Sequence, residues 1–216
     1  MDAFVNGIRL YYEQAGQGRP LVMLHGNFED HSIFDEAVAV LRDRFTCFCL
    51  DSRGHGQSDM VDELHYEDMA ADLVAFLEEL DLHDVILCGY SDGGIVALLA
   101  APWTGRITDL IVCGANTHPR GLKRRAYKAI RQEHRQDPDI YNTVLLREPH
   151  ISEEHLAAVQ ARTLVVAGSR DIIREQDTRF IAENVPGAEL MILPGEDHGS
   201  YIHHSEKIAH IILDFC

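Results

Sequence analysis

Six apolar runs in this sequence lack the polar alternation of a half-buried strand. They are "PLVMLHG" (20–26), "FTCFCLD" (45–51), "DVILCG" (84–89), "ITDLIVCGA" (107–115), "TLVVAG" (163–168) and "AELMILPG" (188–195). A run of this kind suits a strand covered on both faces. Segments with helical spacing separate the runs: "IFDEAVAVLRDR", "YEDMAADLVAFLEELDL", "GGIVALLAA", and stretches at about 175–184 and 200–214. Strand–helix alternation over most of a chain predicts an α/β fold, with a mostly parallel central sheet flanked by helices. Two short strands at about 2–5 and 8–14 precede it, and Asn6-Gly7 between them is a hairpin signal. In such sheets ligands bind at the carboxyl ends of the strands.

The chain has 216 residues, a length that suits one domain across 1–216 with a substantial core. Residues 117–160 break the alternation with Pro119, Pro138, Pro149 and short helical stretches, and read as an inserted helical cap. The formal charge of -16 argues against binding a phosphate backbone, so no nucleic-acid partner is expected. No basic, then apolar, leader opens the chain, and no apolar run reaches the roughly 20 residues needed to span a bilayer. Four of the five cysteines, Cys47, Cys49, Cys88 and Cys113, lie in strand-like runs, with no C-x-x-C spacing. A reduced, cytoplasmic protein is expected.

Gly89-Tyr90-Ser91-Asp92-Gly93 matches G-x-S-x-G between a strand and a helix. Glycines two before and two after the serine leave room for a sharp turn that lifts its Oγ above the sheet. Glycines also join strands to helices for packing reasons, so the pattern alone leaves both readings open. A serine hydroxyl needs a base. Of thirteen histidines, His198 stands between the last strand and last helix in the loop "LPGEDHGSY", while His203, His204 and His210 fall on the following helix with no special role. The base needs an orienting carboxylate. Asp171 follows the strand that ends at Gly168, with Asp177 and Asp197 as rivals, the first inside a helix and the second adjoining His198. The order Ser91, Asp171, His198 is the one expected for this motif on a parallel sheet. For the oxyanion, the backbone N–H groups of Asn27, after the His25-Gly26 turn, and of Asp92 are the candidate donors, with His25 as a structural hydrogen-bonding residue. Neither H-E-x-x-H nor G-x-G-x-x-G occurs, so no metal or cofactor is expected.

Over nearly its whole length the chain resembles the α/β-hydrolase superfamily, through "LHGN" (24–27), "DSRGHGQSD" (51–59), "GYSDGG" (89–94), "AGSRD" (167–171) and "EDHGS" (196–200). The resemblance implies a serine hydrolase with nucleophile Ser91, acid Asp171 and base His198. It also implies an architectural role for Asp51, Arg53, Gly54 and Gly56. "HGN" occurs in similar haloalkane dehalogenases, but those use an aspartate nucleophile where this chain has Ser91. Similar enzymes often carry a longer cap.

The cap holds eight of the nineteen Lys and Arg residues: Arg120, Lys123, Arg124, Arg125, Lys128, Arg131, Arg135 and Arg147. Leu122, Ala126 and Ile130 recur every four residues and should face the pocket, with the basic residues towards water. That basic face is either simply solvated or attracts an anionic substrate. The expected activity is cleavage of a small carboxylic ester or a related acyl bond, in a small-molecule substrate, through an acyl-serine. Thioester, carbon–carbon, lyase or perhydrolase chemistry would use the same three residues. A non-catalytic ligand-binding or receptor protein on this fold is the alternative of another class. The sequence leaves the oligomeric state undetermined.

Overall fold

The computed structural model describes residues 1–216. Asn6 and Gly7 both adopt left-handed backbone, at φ 49° and 80°, as a two-residue I′ turn requires. They join β1 (Asp2–Val5) to β2 (Ile8–Gly16) as an antiparallel hairpin in which Val5 faces Ile8. β2 runs on to Gly16 because it also pairs, antiparallel, with β4 (Phe45–Leu50). The remaining strands are β3 (Arg19–Leu24), β5 (Val85–Tyr90), β6 (Ile107–Cys113), β7 (Arg162–Gly168) and β8 (Glu189–Leu193). They complete an eight-stranded sheet of order β1-β2-β4-β3-β5-β6-β7-β8, parallel from β4 to β8.

The helices are α1 (Asp35–Leu41), α2 (Tyr66–Glu79), α3 (Asp92–Ala100), α4 (Arg124–Gln136), α5 (Ile140–Arg147), α6 (Glu153–Ala157), α7 (Glu175–Asn184) and α8 (Lys207–Phe215). The unbroken apolar runs have a direct cause. Leu21, Met23, Ile86, Cys88, Ile111 and Cys113 face one buried layer, which includes α1 and α8 residues such as Leu41 and Ile212. Their neighbours Val22, Leu24, Val85, Leu87, Leu110 and Val112 face the other, which includes Phe76 of α2, Leu98 of α3 and Ile181 of α7. A strand covered on both sides has no face left for polar residues. The five cysteines are free, and Cys47, Cys49, Cys88 and Cys113 are buried in the first layer.

Strand order reverses between β3 and β5: the chain leaves β3 towards β4 and returns to β5 on its other side. The carboxyl ends of β3 and β5 therefore flank a crevice.

Two helices are shorter than their sequence patterns suggest. A 3-10 turn at His31–Phe34, capped by the Asp30 carboxylate on the Ser32 N–H, takes the start of the pattern before α1. The last helix begins at Lys207, not near 200. Residues 201–204 form a turn that ends at His204, which has φ 45°, and Tyr201 and Ile202 anchor it as fully buried side chains. His203 and His204 thus lie off the helix, in a turn tied back to Gly199, whose carbonyl accepts the His203 N–H at 2.9 Å. His210 lies on α8 as expected.

Between β6 and β7 the chain forms a 3-10 turn at Pro119–Gly121 and then α4, α5 and α6. No residue of α4 is buried, and all eight basic residues of the insertion are exposed. Leu122 is buried, Ala126 and Ile130 are half-buried, and Leu122 and Ile130 border the crevice. No helix is long and apolar enough to cross a membrane.

Candidate active site

β5 ends where α3 must begin, and Ser91 makes the whole change of direction. It takes φ 52° and ψ -115°, a strained combination for a residue with a side chain. Neighbouring hydrogen bonds hold it there. The Ser91 N–H donates to Cys113 O at 2.8 Å, the Ser91 carbonyl accepts from Ile95 N–H at 3.0 Å, and Gly93 N–H donates to His25 O at 3.1 Å. A methyl group on Gly89 would lie 2.2 Å from the Gly93 carbonyl oxygen, and one on Gly93 would lie 2.3 Å from the Leu24 carbonyl oxygen. The glycines therefore let α3 start directly against β5 and β3.

The loops after β7 and β8 bring Asp171 and His198 to this turn. His198 Nε2 lies 3.1 Å from Ser91 Oγ, and His198 Nδ1 lies 2.7 Å from Asp171 Oδ1. Asp171 is buried, and its Oδ1 also accepts the Ile173 N–H at 2.8 Å. With a carboxylate oxygen at Nδ1, the neutral ring carries its hydrogen there and leaves Nε2 as an acceptor facing the serine. The rival acids are engaged elsewhere. Asp177 on α7 accepts the Thr117 N–H and hydroxyl, while Asp197 accepts the Gly199 and Ser200 N–H groups of its own turn.

The loop after β3 brings Asn27 alongside. Gly26 is close enough that a methyl group on it would stand 3.1 Å from Ser91 Cβ. The backbone N–H groups of Asn27 and Asp92 donate to no protein acceptor. The Asn27 side chain is held by the insertion, donating from Nδ2 to Tyr141 O at 3.1 Å. His25 is buried, its Nδ1 donating to Gly26 O at 2.6 Å and its Nε2 accepting the Ser52 N–H at 3.1 Å. Burial lowers its pKa, so the neutral ring acts as a hydrogen-bonded strut between two loops.

The loop at 51–59 is architectural in its contacts. Asp51 accepts from the His31 and Gln57 N–H groups, and Arg53 makes a two-pronged pair with Asp72 of α2. Asp30, His31 and Asp51 bring three potential metal-ligating atoms within 4.8 Å of one another, but these atoms are engaged in hydrogen bonds within the protein.

The cavity over Ser91 holds about 250 Å³. Leu122, Ile130, Leu145, Ile172 and Ile173 make its apolar wall, while Asn27, Glu29, Asn116, Glu133 and Asn142 are its polar groups besides Ser91 and His198. No Lys or Arg borders it. Beside it, Glu29 meets His203 at 2.6 Å, and the Tyr90 ring lies between His198 and His203. These partners were not legible in the sequence. Glu29 lies three residues past the strand-ending Gly26 without any motif, and His203 was expected on a helix.

Comparison with known proteins agrees with this architecture. Residues 21–158 match the model of a family described as "Alpha/beta hydrolase family". The chain belongs to the alpha/beta hydrolase family. Its relatives in that family include the serine hydrolase BPHL of Mus musculus, 27% identical over 244 residues that cover 98% of this chain and 84% of that protein. Another is the AB hydrolase superfamily protein YisY of Bacillus subtilis (strain 168), 27% identical over 256 residues that cover 96% and 95% of the two. That alignment is longer than this alpha/beta hydrolase itself, so the relative carries segments that this chain lacks. Among solved structures, the esterase EaEST from Exiguobacterium antarcticum superposes with a TM-score of 0.84 at 23% identity, over 98% of this chain and 96% of that one. The enol-lactonase from Burkholderia xenovorans LB400 gives 0.82 at 19% identity, over 100% and 99%.

Proposed function

We propose that this alpha/beta hydrolase cleaves small, uncharged carboxylic esters through an acyl-serine intermediate. The observation that carries the reading is the continuous line from Asp171 Oδ1 through His198 to Ser91 Oγ, with steps of 2.7 and 3.1 Å. In this reading His198 Nε2 takes the Ser91 proton as Oγ attacks the ester carbonyl. The Asn27 and Asp92 N–H groups receive the oxyanion. The protonated His198 then gives its proton to the leaving alcohol. A water, deprotonated by the same nitrogen, attacks the acyl-serine and frees the acid and Ser91. Asp171 holds the imidazole in the useful tautomer and stabilises its cation.

The size of the substrate follows from the cleft. Its volume of about 250 Å³ is below the range of roughly 300–1,000 Å³ usual for drug-sized ligands. The absence of Lys and Arg from its wall and the presence of Glu133 favour a neutral ester over an anionic one. Relatives named as esterase, enol-lactonase and serine hydrolase support acyl chemistry of this type.

The test is labelling with a fluorophosphonate together with a p-nitrophenyl ester series. The wild type should label, Ser91→Ala should not, and acetate or butyrate should exceed decanoate in kcat/KM by about tenfold or more. Equal labelling of both proteins would remove Ser91 from the reaction. Labelling without ester turnover would point to another reaction at the same serine.

A further inference from the structure

We propose that Glu29 and His203 are positioning residues for the oxyanion hole, their ion pair fixing where the Asn27 N–H stands relative to Ser91. The inference rests on the ester-hydrolase reading above and adds a pH-sensitive support to it. One carboxylate bridges two loops that arrive from opposite parts of the sequence. Glu29 Oε1 lies 2.6 Å from His203 Nε2, and Glu29 Oε2 accepts the Gly26 N–H at 2.9 Å. Gly26 immediately precedes Asn27, so the peptide held by Glu29 is joined directly to the one that offers the oxyanion donor. The same Gly26 stands against Ser91, so a shift of this loop changes the distance between donor and nucleophile directly. Displacement of about 1 Å at a reacting centre costs on the order of a hundredfold in rate.

The far end of the bridge is also fixed. The His203 ring lies against Gly199, where a methyl group would come within 2.5 Å of its Cε1, and Gly199 follows the base His198. The Tyr90 ring stands at 84° to the His203 ring with centroids 5.3 Å apart, and its centroid is 5.1 Å from that of His198. The loop carrying the base and the loop carrying the oxyanion donor are therefore locked through one pair.

The 2.6 Å separation suits a charge-assisted bond. An exposed ion pair adds little stability, but here the pair acts through position. The ionisable groups facing His203 are Glu29 from the loop after β3, Tyr90 from the end of β5, and Asp197 from its own loop. The hydrogen bond to Glu29, foremost, holds the His203 proton above the ordinary histidine range against the opposing effect of burial, and the Asp197 charge adds to it. A raised histidine pKa means that the charged pair is intact below it and lost as pH rises through it. The bridge should therefore weaken on the alkaline side, as the His203 proton is lost.

The test measures kcat and KM for p-nitrophenyl acetate from pH 5 to 10, and fluorophosphonate labelling rates, on the wild type, Glu29→Gln, His203→Gln and His203→Arg. The wild type should lose kcat towards alkaline pH. Glu29→Gln and His203→Gln should label at Ser91 more slowly, lose about tenfold or more in kcat with KM within about twofold, and lack the alkaline limb. His203→Arg, which keeps a cation on Glu29, should recover kcat relative to His203→Gln and stay flat to pH 10. Folded Glu29→Gln and His203→Gln proteins with wild-type kcat and an unchanged alkaline limb would overturn the inference. So would a lowered thermal transition as their sole change. If Glu29→Gln does not fold, the two His203 variants decide. A wild type that neither labels nor turns over would instead overturn the ester-hydrolase reading, and this inference with it.

Discussion

Ser91 combines two demands that conflict at the level of one residue. Its φ of 52° suits glycine, yet only a side chain can supply a hydroxyl. Holding a non-glycine residue there costs of order 1–3 kcal/mol. Ser91→Gly should therefore stabilise the fold by about 1 kcal/mol in urea unfolding, after allowing for the entropy of glycine in the unfolded chain, and should abolish ester hydrolysis. Its neighbour Asp92 shows a second local cost. The carboxyl is fully buried, its Oδ1 has no hydrogen-bond partner, and burial pushes its pKa up to about 7 from 3.8, against the opposing influences of Tyr66 and His198. Between about pH 4 and 7 the folded protein holds a proton that the unfolded chain has released, so stability falls as pH rises through that window. Asp92→Asn, which keeps the backbone N–H, should raise the thermal transition at pH 8 more than at pH 4. The gain is bounded by a few kcal/mol, at about 1.4 kcal/mol per unit. An equal effect at both pH values would show that Asp92 is already ionised and satisfied.

Among the elements, the junction of β5 with α3 has the least spare room. Gly89 faces the Gly93 carbonyl, and Gly93 faces the carbonyls of Leu24 and His25. All of these contacts are with backbone, which cannot rotate away. Gly89→Ala should cost more than about 2 kcal/mol in chemical unfolding. Gly105→Ala, where a methyl group meets nothing within 4 Å, should change stability by less than about 0.5 kcal/mol. The G-x-S-x-G spacing was readable because it records this crowding. The start of α8 was not. Its amphipathic pattern continues back through residues that instead turn, because Tyr201 and Ile202 are drawn into the core and His204 adopts φ 45°. Periodicity reports which residues are apolar, and both a helix and an anchored turn bury them.

For the whole molecule, charge is divided between an acidic body and the insertion that carries eight of its basic residues. Those eight side chains are all exposed and none borders the cavity. Glu133, on the same helix as Arg124 and Lys128, does border it. Glu133→Lys should therefore raise kcat/KM for an anionic ester relative to a neutral one by about three- to tenfold, an effect that shrinks as salt rises. Arg124→Glu with Lys128→Glu should leave that ratio within about twofold. The reverse pattern would make the basic face the route of entry. The sequence by itself determined the α/β alternation, because strands covered on both faces must be apolar throughout. It also determined which Ser, Asp and His residues stand at strand ends, because tight turns and chain order leave a mark on spacing. Only the tertiary structure decided which charges enter the cleft and which face water, and that Glu29 meets His203 across the molecule. Those pairings depend on how loops from distant strands converge at one edge of the sheet, and local spacing carries no record of that convergence.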